Sequence, residues 1–99
     1  MKGADISKMI LEKNFLPNEN LVSWRVIDNQ VIFLHRKEKS FYELNKTASL
    51  IWMRANGKVS IKEIAGFISS KYDINKNTAE KDALKFIKDL VKKKIFINR

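Results

Sequence analysis

The residue types and spacings in this chain give little support for covalent catalysis. His35 is the only histidine, and cysteine is absent. A thiol nucleophile, a thiolate metal site and a disulfide scaffold are therefore excluded. His35 alternates with Phe33 in an apolar extended run, where it reads as a surface or half-buried strand residue; no Ser/His/Asp arrangement can be built around it. The three glycines form no phosphate-cradling loop. Asp73, Asp82 and Asp89 do not have metal-ligand spacing. The expectation is a protein that is not an enzyme and carries no cofactor or metal.

Binding has better material. Ser40-Phe41-Tyr42-Glu43-Leu44 reads as a strand with no proline and one charge. At a sheet edge its unpaired N–H and C=O groups are a template for strand addition by an extended peptide. Near the C-terminus, Leu84 and Val91 flank Ile87 and widen a helix's apolar stripe beyond one packing face, and Lys81, Lys88 and Lys92 border it. Two readings follow. Leu84 and Val91 pack on a neighbouring helix or the terminal segment, or they form one wall of a half-open groove whose other wall is the strand. In the second, apolar peptide residues meet Leu84, Ile87 and Val91, and an acidic one meets Lys81, Lys88 or Lys92.

Three strands and three helices must position these residues. Leu21–Ile27 and Gln30–Arg36 are rich in Val, Ile, Trp and Phe, and Asp28-Asn29 between them suits a tight hairpin turn. Lys37-Glu38-Lys39 makes a second turn into Ser40–Leu44. Val31-Ile32-Phe33-Leu34 is apolar on both faces, as a central strand would be. After Asn45, an N-cap, Ala48, Ile51, Trp52 and Ala55 recur at helical spacing up to Gly57, expected at C′. Ser60-Ile61-Lys62-Glu63 is a capping box for a second helix with Ile61, Ile64, Ala65, Ile68 and Tyr72 on its stripe. Asn77 with Glu80 suggests the start of a third, lined by Ala79, Ala83, Phe86, Ile87 and Leu90, before a terminal apolar Ile95-Phe96-Ile97. The fold expected is α+β: a three-stranded antiparallel sheet followed by three helices, winged helix-turn-helix-like. Residues 1–20, in which Ile6, Met9, Ile10 and Phe15 fit either a short helical stripe or a loose arm, read as a partly mobile N-terminal arm to a single domain over 21–99.

Ninety-nine residues with 44% hydrophobic content suit one domain with one core. The net charge of +9 invites a nucleic-acid reading. However, sixteen of the twenty basic residues are Lys and four are Arg, the residue suited to bidentate recognition of phosphate or guanine. The third helix also opens with acidic Glu80 and Asp82, where a phosphate would approach. A winged-helix DNA-binding regulator is kept as the alternative function. No apolar run approaches the ~20 residues of a membrane span, and charges interrupt the N-terminal apolar stretch. The expected location, by elimination, is cytoplasmic.

Leu44-Asn45, Thr47-Ala48, Ile51-Trp52 and Gly57, followed by a capped helix, resemble the PqqD family over roughly Leu21 to Ile97. The family's acidic Asp-Gly turn is here Asn56-Gly57. The resemblance implies a small RiPP recognition element that binds the leader of a ribosomally made precursor peptide. It would present that leader to a modifying enzyme: a radical S-adenosylmethionine maturase, a leader peptidase or a cyclase. It also implies that the leader adds beside Ser40–Leu44 and packs on the third helix, at Leu84, Ile87, Lys88 and Val91.

Overall fold

The computed structural model describes residues 6–99, with side chains from Met9 onward. Its elements, in chain order, are α1 (Ile6–Leu11), β1 (Phe15–Pro17), β2 (Val22–Ile27), β3 (Gln30–His35), β4 (Ser40–Glu43), α2 (Lys46–Arg54), α3 (Ile61–Tyr72), α4 (Lys76–Lys92) and β5 (Phe96–Asn98). The protein is an α+β fold. β2, β3 and β4 form an antiparallel meander with β3 in the centre, and β1 pairs with β5 in a separate two-stranded ribbon.

Hairpin chemistry fixes the meander. Asp28 and Asn29 both have positive φ, 51° and 65°, the pair of left-handed residues that a two-residue turn with the strands' own twist requires. The register then sets Val22 against His35 and Phe33 against Tyr42. One face of β3, carrying Val31, Phe33 and His35, is buried against the helices; Ile32 and Leu34 on the other face are half-buried.

Trp52 of α2 occupies the middle of the core. It stacks on Phe33 with ring centroids 4.8 Å apart, and Trp24 and Phe96 meet it edge-on at 5.8 and 5.0 Å. Ile61, Ile64, Ala65 and Ile68 of α3 and Ala79, Ala83, Ile87 and Leu90 of α4 complete it. The caps explain the helix starts. Asn45 accepts from the Ala48 amide, and Ser60 and Glu63 form the reciprocal capping box. α4 begins two residues before its expected start, because Asn75 rather than Asn77 is the cap and accepts from the amides of Asn77 and Thr78. α2 ends at Arg54 with Ala55 as its cap. Gly57, expected at C′, lies beyond it. It has positive φ (81°), and its N–H donates to the Phe15 carbonyl at 3.0 Å.

The N-terminal segment differs most from the sequence reading. The described part of the expected arm is built into the molecule: Phe15 is buried at 6% exposure, and Phe15, Leu16 and Pro17 pair with Asn98, Ile97 and Phe96. A local reading misses this because the partner strand is about eighty residues away. Residues 1–5 of the arm lie outside the described residues.

Candidate functional site

β4 is an edge strand, and all four of its residues are exposed. Its hydrogen-bond parity follows from one bond: the Leu44 N–H donates to the Val31 carbonyl at 2.9 Å. Facing pairs in an antiparallel ladder alternate between bonded and non-bonded. Ser40, Tyr42 and Leu44 therefore direct their backbone groups at β3, whereas Phe41 and Glu43 direct theirs away from the sheet. The second set is what an added strand would pair with.

Beside this edge runs a groove of about 490 Å³ between β4 and α4. Tyr42 and Leu44 line it from the strand side, Phe86 and Leu90 from the helix, with Glu43 and Lys93 also on its lining. Tyr42 is held in place: its ring stacks on Phe33 at 5.0 Å, and its hydroxyl donates to the Glu38 carboxylate at 2.5 Å. That hydrogen bond raises the phenol's pKa above the ordinary value, with desolvation and the carboxylate charge adding to it. An aromatic series thus runs from the groove through Tyr42 and Phe33 to Trp52 in the core. His35 also lines the groove but has a structural job. It is buried at 9% exposure, and its Nδ1 accepts from the Glu38 amide at 3.1 Å, closing the β3–β4 turn.

The helix side of the groove differs from the sequence reading. On α4, Leu84 and Val91 lie on one flank and Phe86, Asp89 and Lys93 on the other, more than about 120° round the axis. The second flank faces β4. The structure brings Tyr42, Glu43 and Leu44 together with Phe86, Asp89, Leu90 and Lys93. It does not bring Ile87, Lys88, Val91 and Lys92 there; these line a second cavity, of about 540 Å³, between α4, α1 and the β1–β5 ribbon. Leu84 is half-buried against the core, and Lys81 is exposed. The cause is physical: α4's apolar stripe is wide because it packs on two neighbours, the core and α1, and α1 falls in the segment read as an arm. Ser40 and Phe41 stay on the edge, with Phe41 74% exposed on the outer sheet face. Phe86 was legible only as a stripe residue. An aromatic at the border of the polar face was the signal for a groove wall.

The charges divide in the same way. On the β4 side, Glu38, Glu43 and Asp89 stand against Lys93, which pairs with Asp89 at 3.3 Å. The lysines border the opposite flank. Among the described residues no group of His, Asp or Glu could hold a metal ion, and no helix is long and apolar enough to cross a membrane.

Comparisons with known proteins bear on the fold and the family. No curated protein matches the chain. Two solved structures do. A complex of TbiB1 with the TbiA(beta) leader peptide is 25% identical at a TM-score of 0.72, over 82% of this chain and 93% of that one. Lasso peptide synthetase B1 complexed with the leader peptide is 24% identical at a TM-score of 0.74, over 85% of this chain and 98% of that one, and carries the likeness of fold. The model of the family described as coenzyme PQQ synthesis protein D matches residues 30–95, from the central strand through α4, so the chain belongs to the PqqD family.

Proposed function

We propose that this protein binds the leader segment of a ribosomally made precursor peptide by strand addition along β4, and presents it to a modifying enzyme without itself catalysing the modification. The observation that carries this is the unpaired edge of β4 lying along an apolar groove of α4. Family membership, and a TbiB1 relative solved with a leader peptide, support it. Backbone bonds to Phe41 and Glu43 supply affinity, each worth about 1 kcal/mol net. Alternate leader side chains enter between Tyr42, Leu44, Phe86 and Leu90 and supply specificity. Glu38 and Glu43 on the groove's lining favour a basic leader residue. The acidic residue expected from the sequence would instead meet Lys88 and Lys92, which line the other cavity. The sheet with α2–α4 against one face reads as winged helix-turn-helix-like. The modifying enzyme is a radical S-adenosylmethionine maturase, a leader peptidase or a cyclase, according to the precursor it serves.

The test uses the isotope-labelled protein and the leader of a precursor encoded in the same gene neighbourhood. Amide shifts are expected along Ser40–Leu44 and at Phe86, Leu90 and Lys93. Glu43→Pro removes an outward N–H while leaving the β3–β4 bonds intact, since proline is tolerated on an edge. It should weaken the leader about tenfold, one lost bond plus a blocked approach. Phe86→Asp should weaken it further. Shifts clustered away from β4, with Glu43→Pro binding like the parent, would sink the groove.

A further inference from the structure

α4 carries a second surface that the leader groove does not use. Lys81, Lys85, Lys88 and Lys92 are spaced by four, three and four residues, within about 60° of one another round the helix, and all are exposed. Next to this stripe lies the cavity of about 540 Å³ lined by Ile10 of α1, Phe15 of β1, and Ile87 and Val91 of α4, with Lys88 and Lys92 at its rim. The acidic residue on its lining, Asp89, is occupied by Lys93 at 3.3 Å, and the stripe lysines make no salt bridge among the described residues. An apolar cleft bordered by exposed lysines at helical spacing, unpaired among the described residues, is complementary to a helix with an apolar stripe and acidic flanks.

We infer that the α1–α4 cleft docks an acidic amphipathic helix of the modifying enzyme, while the leader occupies the opposite flank of α4. The second clause rests on the leader reading above; the docking chemistry stands without it. A second copy of this chain is the wrong occupant, because it would bring its own lysines and a net charge of +9 against the first. A nucleic-acid backbone would satisfy the lysines but leave Ile10, Val91 and the cavity unfilled. With the helix of α4 as a shared wall, both ligands are held at once, which is what presenting a substrate to an enzyme requires.

The probe is a synthetic amphipathic helix of about five turns, with leucines on one stripe and glutamates elsewhere, set against the same peptide with lysines for glutamates. The acidic peptide should bind the whole protein and shift the amides of Ile10, Leu84, Lys88 and Val91; the basic one should not bind. Lys88→Glu/Lys92→Glu alters two exposed side chains and should weaken the acidic peptide about tenfold. It should also weaken association with the purified modifying enzyme from the same gene neighbourhood, and leave leader affinity unchanged. Val91→Asp, at the apolar centre, should do the same, and the lysine pair keeps the test valid if Val91→Asp unfolds. Four outcomes overturn the inference: no acidic-peptide binding, shifts at Tyr42 and Phe86 instead, enzyme association unaffected by the lysine pair, or binding of duplex DNA that the pair abolishes. Leader titration of the parent protein is read separately. Failure there removes the leader reading and leaves the docking result standing.

Discussion

Ser49 is the smallest residue on which the site depends. It is fully buried in the first turn of α2, and its hydroxyl accepts from the Val31 N–H at 2.8 Å and donates to the Leu44 carbonyl at 3.3 Å. The Gln30 side-chain Nε2 also donates to that carbonyl, at 2.9 Å. The end of β4 is thereby tied to the start of β3 and to α2 at once, and the β4 edge keeps a fixed height above the groove. Ser49→Ala leaves the Val31 N–H buried without a partner, a cost of about 1–3 kcal/mol. Urea unfolding should show that loss with the slope of the transition unchanged. A midpoint equal to the parent's would mean that water takes over the bond. Trp52 shows the opposite balance. Its Nε1 is buried without a partner among the described residues, yet the ring touches Phe33, Trp24 and Phe96, so aromatic packing outweighs one unsatisfied donor. Trp52 was legible as core from its spacing with Ala48 and Ile51. Ser49 was not, since a serine on a helix gives no sign that it serves a strand.

At the scale of elements, what the sequence announces is set by local chemistry. Asp28-Asn29, the Asn45 cap and the Ser60–Glu63 capping box each act within a few residues, and each appears where expected. The end of α4 had no such signal, because no glycine marks it. Lys94 takes the left-handed conformation, with φ at 64°, and donates to the Val91 carbonyl at 2.9 Å, while Ile95 donates to the Leu90 carbonyl at 2.8 Å. This is a Schellman closure, with buried Ile95 against buried Leu90 supplying its apolar contact. A side chain in that conformation costs about 1–2 kcal/mol relative to glycine. Lys94→Gly should therefore stabilise the protein, by about 1 kcal/mol once glycine's greater unfolded-state freedom is subtracted. A rise in the urea midpoint is the readout; a fall would mean that the Lys94 stem packs usefully on the ribbon. The two flanks of α4 are not told apart by the sequence for a related reason. Helical spacing shows that Leu84 and Val91 are apolar but not which neighbour they meet, and α1 and the sheet compete for α4.

At the scale of the whole molecule, β1 and β5 join segments about eighty residues apart and cover the core. The β1–β5 ribbon sets Phe15 and Phe96 side by side with the helices, at 6% and 1% exposure. Its flanking bonds reach three parts of the chain: Gly57 N–H to the Phe15 carbonyl, Ile61 N–H to the Lys13 carbonyl at 3.2 Å, and Arg99 N–H to the Asn14 carbonyl at 2.8 Å. Asn18 adds two more: its N–H donates to the Ile95 carbonyl at 2.7 Å, and its side chain to the Lys94 carbonyl at 3.1 Å. If the ribbon is part of the cooperative unit, Phe15→Ala must weaken everything, at a cost of about 3–5 kcal/mol for a buried Phe. A domain of this size has about 5–15 kcal/mol in total, so the loss is a large share. Trp fluorescence reports the core through Trp24 of β2 and Trp52 of α2, neither of which belongs to the ribbon. Its unfolding midpoint should fall together with the far-UV signal, in a single transition. If the ribbon were an appendage, the fluorescence midpoint would stay at the parent's value. The variant also bears on both proposed surfaces. Phe15 lines the α1–α4 cleft and not the β4 groove, so under native conditions the acidic-helix probe should weaken while leader binding persists.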